Sequence, residues 1–384
     1  MITMPTSPFT IRVPDETLTD LRSRLERTRW PDENPGGGWQ YGSDLRYMQA
    51  LANYWREKYD WRVHEARLNR LRQFVASIDG IDLHFVHEPG VGPDPLPLLL
   101  SHGWPGSIVE FERLIPLLTD PGRFGGDPAD AFTVVAPSLP GYGFSFRPNQ
   151  PRFNVAGVAD VFSRLMVDVL GYRRFGAQGG DWGAFISSQL GAAHADRVLG
   201  IHVTLLSGPR ETTPTPQTDE ERSYVAELKY WMGEEQGYGV IQGTKPQTLA
   251  YGLTDSPIGL AAWIVEKFRT WSDCGGDVER RVSKDVLLTN VMLYWVTGAI
   301  NSSFWPYWAR RHEPWPVNAQ TPVRVPTAYA SFPKEILHPP RSWVEPVYPN
   351  IRRWTTMPSG GHFAALEEPE ALAADIRAFF RELR

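Results

Sequence analysis

Short, unbroken apolar runs recur along most of the chain and alternate with segments whose apolar residues follow a helical spacing. Strands of a parallel sheet have such continuous apolar character because helices cover both of their faces. The pattern therefore predicts an α/β fold with a mostly parallel sheet and helices on both faces. The predicted strands are 96–100, 132–136, 175–177, 198–203, 325–330 and 351–357.

The chain before these runs has a different pattern. Apolar residues recur at helical spacing after Pro14 and again after Asp44, which predicts two helices. The segments 74–78 and 81–87 then alternate in polarity on either side of an Asp-Gly dipeptide, a turn signal typical of hairpins. We therefore expect a helical N-terminal region, residues 1–70, followed by a hairpin that opens the sheet.

Strand-like runs are missing between residues 207 and 320. This stretch has mostly helical patterning and contains seven of the fifteen tryptophans. We interpret it as a helical cap inserted over the sheet. The expected organisation is a helical region at 1–70, a first part of the core at 71–206, a cap at 207–320 and a second part of the core at 321–384.

Composition narrows the class of protein. With 384 residues, 42% of them hydrophobic, the chain can bury a large core. A net charge of −5 gives no electrostatic footprint for nucleic acid or an anionic membrane. The single cysteine, Cys274, excludes an internal disulfide framework and a thiolate-rich zinc site. We expect a soluble, cytoplasmic protein with no signal peptide, no membrane anchor and no nucleic-acid partner.

The most informative motif is Gly179-Gly180-Asp181-Trp182-Gly183. It lies between a short apolar run and a helical segment, and this strand–turn–helix context is the one in which α/β-hydrolases carry their nucleophile. A carboxylate at that position forms alkyl esters with saturated carbons that bear a leaving group, as in an epoxide or a carbon–halogen bond. The alternative is a plain turn, in which Asp beside Gly is common.

Two loops at predicted strand ends supply further candidates. His102-Gly103-Trp104-Pro105-Gly106 follows the run that ends at Leu100. In an α/β-hydrolase, backbone N–H groups of this loop and of the residue after the nucleophile form the oxyanion hole. We therefore expect the N–H groups of Trp104 and Trp182 to form it, and we interpret His102 as a structural residue that holds the loop.

A histidine and an acid complete the predicted triad. His362 follows the last predicted strand and precedes the C-terminal helix, where this fold places its catalytic histidine. Glu335 follows the run 325–330 and is the candidate acid, whose role would be to orient the imidazole. Glu335 could instead pair with Lys334 at the surface, and Glu211 is the fallback acid.

Several motifs together resemble the microsomal-type epoxide hydrolases over nearly the whole chain, including an N-terminal region typical of that family. The matching strings are Thr28–Pro31, His102–Ser107, Pro140–Ser145, Gly179–Gly183, Thr254–Ile264, Leu288–Trp295 and Gly360–Ala365. The resemblance implies an α/β-hydrolase fold, an inserted cap and no cofactor or metal.

The resemblance also implies roles for individual residues. It implies Asp181 as nucleophile, His362 as base and Glu335 as acid, with Tyr238 and Tyr307 of the cap donating hydrogen bonds to the epoxide oxygen. For either tyrosine the alternative is an aromatic residue of the cap core. Trp305 and Pro306 stand just before Tyr307, where members of the family often have a basic residue two positions before the tyrosine. Trp104, Trp182 and Phe363 are the expected pocket residues.

The resulting hypothesis is an enzyme that opens an apolar epoxide, aryl epoxides included, to a vicinal diol. A haloalkane dehalogenase shares the aspartate nucleophile and stays open, as does a non-catalytic homologue that binds a hydrophobic ligand. The 33 arginines against 6 lysines indicate a GC-rich bacterial genome. A homodimer and roles in detoxification, catabolism or natural-product biosynthesis also remain open.

Overall fold

A single nine-stranded sheet forms the centre of the molecule. The structure, a computed structural model, describes residues 5–208 and 213–384. The strands are β1 (Thr6–Phe9), β2 (Gln73–Ile78), β3 (Ile81–Glu88), β4 (Leu96–Ser101), β5 (Phe132–Pro137), β6 (Phe175–Gly179), β7 (Val198–Val203), β8 (Thr327–Ser331) and β9 (Ile351–Thr356).

Sixteen α-helices, all within the described residues, cover the sheet and form the N-terminal region and the cap. They are α1 (Asp15–Glu26), α2 (Leu45–Glu57), α3 (Trp61–Leu68), α4 (Leu114–Thr119), α5 (Val155–Arg164), α6 (Asp181–Ala193), α7 (Asp219–Tyr230), α8 (Gly237–Thr244), α9 (Pro246–Asp255), α10 (Pro257–Trp271), α11 (Lys284–Thr297), α12 (Ile300–Ser303), α13 (Trp305–His312), α14 (Arg341–Val344), α15 (Ala364–Glu367) and α16 (Pro369–Arg381). Within the described residues, no helix is long and apolar enough to cross a membrane.

The strand order is β1-β2-β3-β5-β4-β6-β7-β8-β9. The pairs from β1 to β5 along this order are antiparallel, and every pair from β5 through β4 to β9 is parallel. This arrangement confirms the predicted α/β-hydrolase fold. The parallel strands all end at one edge of the sheet, so the loops after β4, β6, β8 and β9 lie near one another.

The N-terminal strand β1 was not predicted. It pairs antiparallel with β2, from Thr6 opposite Ala76 to Phe9 opposite Gln73. This edge strand has only four residues, three of them exposed, so it lacks the alternation of polarity that reveals a strand in sequence. The region before residue 70 therefore contributes to the sheet as well as providing helices.

The helices α7 to α13 all lie between β7 and β8, within the range expected for the cap. The N-terminal helices α1 and α2 contact the cap helix α10. Two hydrogen bonds add to this packing. Arg24 donates to the carbonyl of Asp255 at 2.8 Å, and Ser43 Oγ donates to the carbonyl of Ala262 at 2.8 Å. The N-terminal region thus packs against the cap helices α9 and α10.

Candidate active site

Asp181 lies at the junction of β6 and α6, in the turn that the sequence predicts. Its φ angle is 50°, a left-handed conformation that costs a non-glycine residue about 1 to 3 kcal/mol and is typical of functional sites. The turn is tight: a Cβ at Gly183 would lie 1.9 Å from the carbonyl oxygen of Ser101. Asp181 is also the first residue of α6, whose N-terminus stabilises a negative charge.

The loop after β4 approaches the Asp181 carboxylate directly. The backbone N–H of Trp104 donates to Oδ1 of Asp181 at 2.7 Å. A Cβ at Gly103 would lie 2.1 Å from the same oxygen, so only glycine fits there. The structure thus brings one of the two expected oxyanion donors to the carboxylate, whereas the donor role of the Trp182 N–H remains a prediction.

His102 lies behind this loop. Its Nε2 accepts a hydrogen bond from the N–H of Leu139 at 3.2 Å, and its Nδ1 contacts the carbonyl of Gly103 at 3.0 Å. Burial lowers the pKa of His102 to about 4, so its ring is neutral near pH 7 and Nδ1 carries the proton that is donated to Gly103. These contacts agree with a structural role in holding the loop.

Glu335 and His362 meet although they come from different loops. Glu335 follows β8 and accepts hydrogen bonds at Oε1 from the N–H of Ile336 at 2.7 Å and from Nδ1 of His362 at 2.6 Å. Nε2 of His362 lies 3.5 Å from Oδ2 of Asp181. The three predicted triad residues therefore form one chain of contacts. The fallback acid, Glu211, lies outside the described residues.

The two carboxylates set the charge of His362. Burial acts to lower the pKa of the imidazole, but the neighbouring charges of Glu335 and Asp181 outweigh it and raise the pKa well above 6.5. An imidazolium therefore lies between two carboxylates as long as Asp181 is not esterified. Removing the charge of Asp181 removes one of the two interactions that hold the proton on His362.

Tyr238 and Tyr307 lie next to each other in the cap, with their rings edge-to-face. Tyr238 belongs to α8 and Tyr307 to α13; both side chains are buried, and their ring centroids are 5.5 Å apart. The indole of Trp104 stacks on Tyr238 with centroids 5.1 Å apart, and that of Trp182 meets Tyr307 edge-on at 4.8 Å. The loop and turn that adjoin Asp181 are thus in direct contact with both tyrosines.

Tyr307 lies in the first turn of the cap helix α13. Trp305 is the first residue of this helix, and Pro306 occupies its first turn, a position where proline's missing N–H costs no hydrogen bond. Burial, together with Tyr238 and Asp181 nearby, raises the pKa of Tyr307 well above 10. This phenol therefore keeps its proton at neutral pH and is available as a donor.

Phe363 is placed differently from the other predicted pocket residues. Its ring stacks on Phe268 of α10, with centroids 4.1 Å apart, and lies 5.1 Å from the ring of His362. The side chain is almost fully buried against the cap. Its role as part of the pocket wall stays a prediction.

Two residues near the site were not identified from the sequence. The carbonyl of Trp271 accepts a hydrogen bond from the N–H of His362 at 2.9 Å, and the two rings are 5.0 Å apart. The side chain of Lys267 is buried, and its ammonium lies 5.0 Å from the ring centroid of Tyr238. It forms an ion pair with the carboxylate of Glu266 at 2.7 Å. Only the presence of a tryptophan and a lysine on an apolar helix could have indicated them.

Comparisons with known proteins agree with this geometry. The model of the "Epoxide hydrolase N terminus" family matches residues 6–111, and that of the alpha/beta hydrolase fold matches residues 97–250. A Stigmatella aurantiaca protein, whose name assigns it to the epoxide hydrolases, is 42% identical over 98% of this chain and 85% of its own length. Epoxide hydrolase 1 of Oryctolagus cuniculus is 39% identical over 97% of this chain and 88% of its own.

Solved structures give the same result. The juvenile hormone epoxide hydrolase of Bombyx mori superimposes with a TM-score of 0.89 at 32% identity, covering 99% of this chain and 95% of its own. The Aspergillus niger epoxide hydrolase gives a TM-score of 0.87 at 31% identity, covering 100% of this chain and 97% of its own. The matching family models and these relatives over nearly the whole length show that the chain belongs to the microsomal-type epoxide hydrolase family.

Proposed function

We propose that the protein hydrolyses an apolar epoxide to a vicinal diol through an ester on Asp181. One observation carries the proposal: the residue at the nucleophile turn is a carboxylate, and it contacts the N–H of Trp104 and the imidazole of His362. A carboxylate at that point attacks a saturated carbon and forms an alkyl ester, which needs a separate hydrolytic step.

In the first step, an oxygen of Asp181 attacks an epoxide carbon and the carbon–oxygen bond of the ring breaks. The ring oxygen takes up the electron pair as an alkoxide and needs a proton. Tyr238 and Tyr307 supply hydrogen bonds and that proton, since a phenol is a weak acid that suits an alkoxide leaving group. The neutral state of Tyr307 supports this role.

In the second step, esterification has removed the charge of Asp181, so His362 loses one of the carboxylates that raise its pKa. The imidazolium then passes its proton to the phenolate that the first step leaves. The neutral imidazole accepts a proton from water, while Glu335 holds the ring and stabilises its charge. The hydroxide attacks the ester carbonyl, and the tetrahedral oxyanion is stabilised by the N–H groups of Trp104 and Trp182. Each such donor is worth about 2.7 to 4 kcal/mol in comparable enzymes. Collapse of this intermediate breaks the carbonyl C–O bond to the substrate, and the leaving alkoxide takes the proton of the added hydroxyl group. The diol is released, and the Asp181 carboxylate and the His362 imidazolium of the resting site are restored.

The aromatic residues around the site favour an apolar substrate. Trp104, Trp182, Tyr238 and Tyr307 are buried and contact one another by stacking or edge-to-face packing. Such a wall offers apolar surface and few polar partners besides the two phenols. We expect aryl and alkyl epoxides to be accepted in preference to polar ones.

A single-turnover experiment in oxygen-18 water tests the covalent mechanism. If water attacks the carbonyl carbon of the ester, the oxygen delivered to the first diol comes from Asp181. Label should then appear in the protein and be almost absent from the product. Label found chiefly in the first-turnover diol would mean that water attacks the epoxide directly, with Asp181 acting as a base.

One observation supports haloalkane dehalogenation as a second candidate. The indole Nε1 atoms of Trp104 and Trp182 are buried and lack hydrogen-bond partners among the described residues, and a halide ion could accept from such groups. The phenols of Tyr238 and Tyr307 favour an epoxide oxygen instead. Release of chloride from 1-chlorohexane at a rate comparable to epoxide turnover would reverse this preference.

Other features of the protein stay predictions. These are independence of cofactors, a cytoplasmic location, assembly as a homodimer, and a role in detoxification, catabolism or natural-product biosynthesis. A non-catalytic homologue would bind an epoxide without forming diol, and a turnover screen over aryl and alkyl epoxides distinguishes it from the enzyme.

A further inference from the structure

The cap helix α11 contacts the loop that carries Trp104. Asn290 and Tyr294 lie four residues apart in this helix and therefore share one face. The side-chain amide of Asn290 donates through Nδ2 to the carbonyl of Pro105 at 2.7 Å, and the hydroxyl of Tyr294 donates to the carbonyl of Gly106 at 2.7 Å. Two successive carbonyls of the loop are thus held by the cap.

The side-chain oxygen of Asn290 belongs to the same network. Ser107 Oγ donates to Oδ1 of Asn290 at 2.7 Å, which orients the amide so that Nδ2 faces Pro105. Both side chains are buried. Because water does not reach them, loss of one partner leaves a buried polar group without a hydrogen bond. The cost of this unsatisfied group favours a shift of the surrounding backbone.

The loop needs such support because of its own composition. Gly103 and Gly106 flank Trp104 and Pro105, and both glycines are in tight contact with side chains. A Cβ at Gly103 would lie 2.1 Å from Oδ1 of Asp181, and one at Gly106 would lie 1.5 Å from Oε1 of Glu110. The glycines that allow this approach also give the backbone more conformational freedom than any other residue would.

We propose that Asn290 is a positioning residue that holds the N–H of Trp104 where it binds the carboxylate of Asp181. Tyr294 and Ser107 support it. The assignment rests on the proposed function, in which that N–H stabilises the oxyanion during ester hydrolysis. Removing the amide frees the carbonyl of Pro105, the residue directly after Trp104, and shifts the donor. A misplacement of about 1 Å can cost about 10²-fold in rate.

The test compares the two half-reactions in the wild-type protein and in Asn290→Ala. Single turnovers with styrene oxide are followed by rapid quenching, with the ester measured by intact mass and the diol by chromatography. We expect ester hydrolysis to slow by about ten- to a hundredfold and alkylation to change by less than about threefold. The ester then accumulates, and kcat and KM fall together.

Thr289→Val is the matched control from the same turn of α11. Thr289 Oγ1 contacts Tyr59 Oη at 3.1 Å and donates to the carbonyl of Asp285 at 2.6 Å, contacts that do not include the Trp104 loop. Its variant should keep the wild-type ratio of hydrolysis to alkylation even if its melting temperature falls. If Asn290→Ala does not fold, Ser107→Ala, which frees the orientation of the amide, takes its place with the same expectation.

The outcomes distinguish the positioning role of Asn290 from the covalent function itself. Preferential slowing of hydrolysis in Asn290→Ala, absent from Thr289→Val, supports the positioning role. Equal slowing of both steps, or the same change in the control, would reduce Asn290 to a residue that only stabilises the fold. A wild-type protein that forms no ester with styrene oxide would instead contradict the proposed covalent function itself.

Discussion

Replacing Asp181 with asparagine should lower the pKa of His362. In the resting protein, Nε2 of His362 lies 3.5 Å from Oδ2 of Asp181, while Nδ1 remains bonded to Glu335 at 2.6 Å. Unit charges at that separation interact by about 2.4 to 4.7 kcal/mol for effective dielectric constants of about 40 to 20. At about 1.4 kcal/mol per pH unit, the expected decrease is about two to three pH units. The pKa of His362 falls because a neutral amide, unlike the carboxylate of Asp181, does not stabilise the charge of the imidazolium.

The measurement is a titration of the imidazole nitrogens by NMR in protein labelled with nitrogen-15 at histidine. The other histidines serve as internal references, and His362→Gln assigns the signal. Asp181→Ala, which is neutral and has no amide, is the matched variant and should give the same decrease. A pKa of His362 that moves by less than about half a pH unit in both variants would refute the view that Asp181 holds its proton.

Three further predictions concern the individual steps. Changing both Tyr238 and Tyr307 to phenylalanine should slow alkylation by at least about 10²-fold, the usual contribution of a general acid, and near-normal single-turnover alkylation in the double variant would remove them from the mechanism. In His362→Ala the ester should form but not be hydrolysed, so intact mass should show protein plus one epoxide; consumption of one equivalent without an adduct would count against this order of steps. Glu335→Gln should slow ester hydrolysis by about 10²- to 10⁴-fold, since its 2.6 Å contact with His362 would lose its charge, and slowing of alkylation to the same extent would contradict the assignment.

The strands from β4 to β9 could be predicted because each one contains a local apolar run, whereas the exposed strand β1 was not predicted. Prediction and structure differ mainly at the ends of strands. The run 325–330 begins as a strand only at Thr327, because Pro326 has no N–H to donate to a sheet. The opposite difference occurs at β6, which continues past the predicted end through Gln178 to Gly179, because neither of these residues is apolar.

The residues of the site differ in whether the sequence pattern alone could predict them. Asp181 and His362 were found because each lies in a short glycine-containing loop directly after a predicted strand, and the fold then defines which edge of the sheet they share. Tyr238 and Tyr307 have no such local signal. They were found through the resemblance, and their 5.5 Å separation depends on how α8 packs against α13.

Residues that support the site were missed because their roles depend on partners far away in sequence. Asn290 bonds to Pro105 across 185 positions, and Tyr294 to Gly106 across 188. In sequence both residues read only as polar positions on an apolar helix. Trp271 likewise acts through its backbone carbonyl, which no side-chain pattern reveals.

The sequence by itself determined the α/β order of the elements, the insertion of a helical cap, and the chemistry of a carboxylate at the nucleophile turn. These properties depend on local spacing, glycine content and residue type, which neighbours along the chain decide. The tertiary structure decided the distances between Asp181, His362 and Glu335, the charge of the imidazole, and the contacts of the cap with the Trp104 loop. Those quantities depend on burial and on charges brought together by folding, and both arise only when separate elements pack.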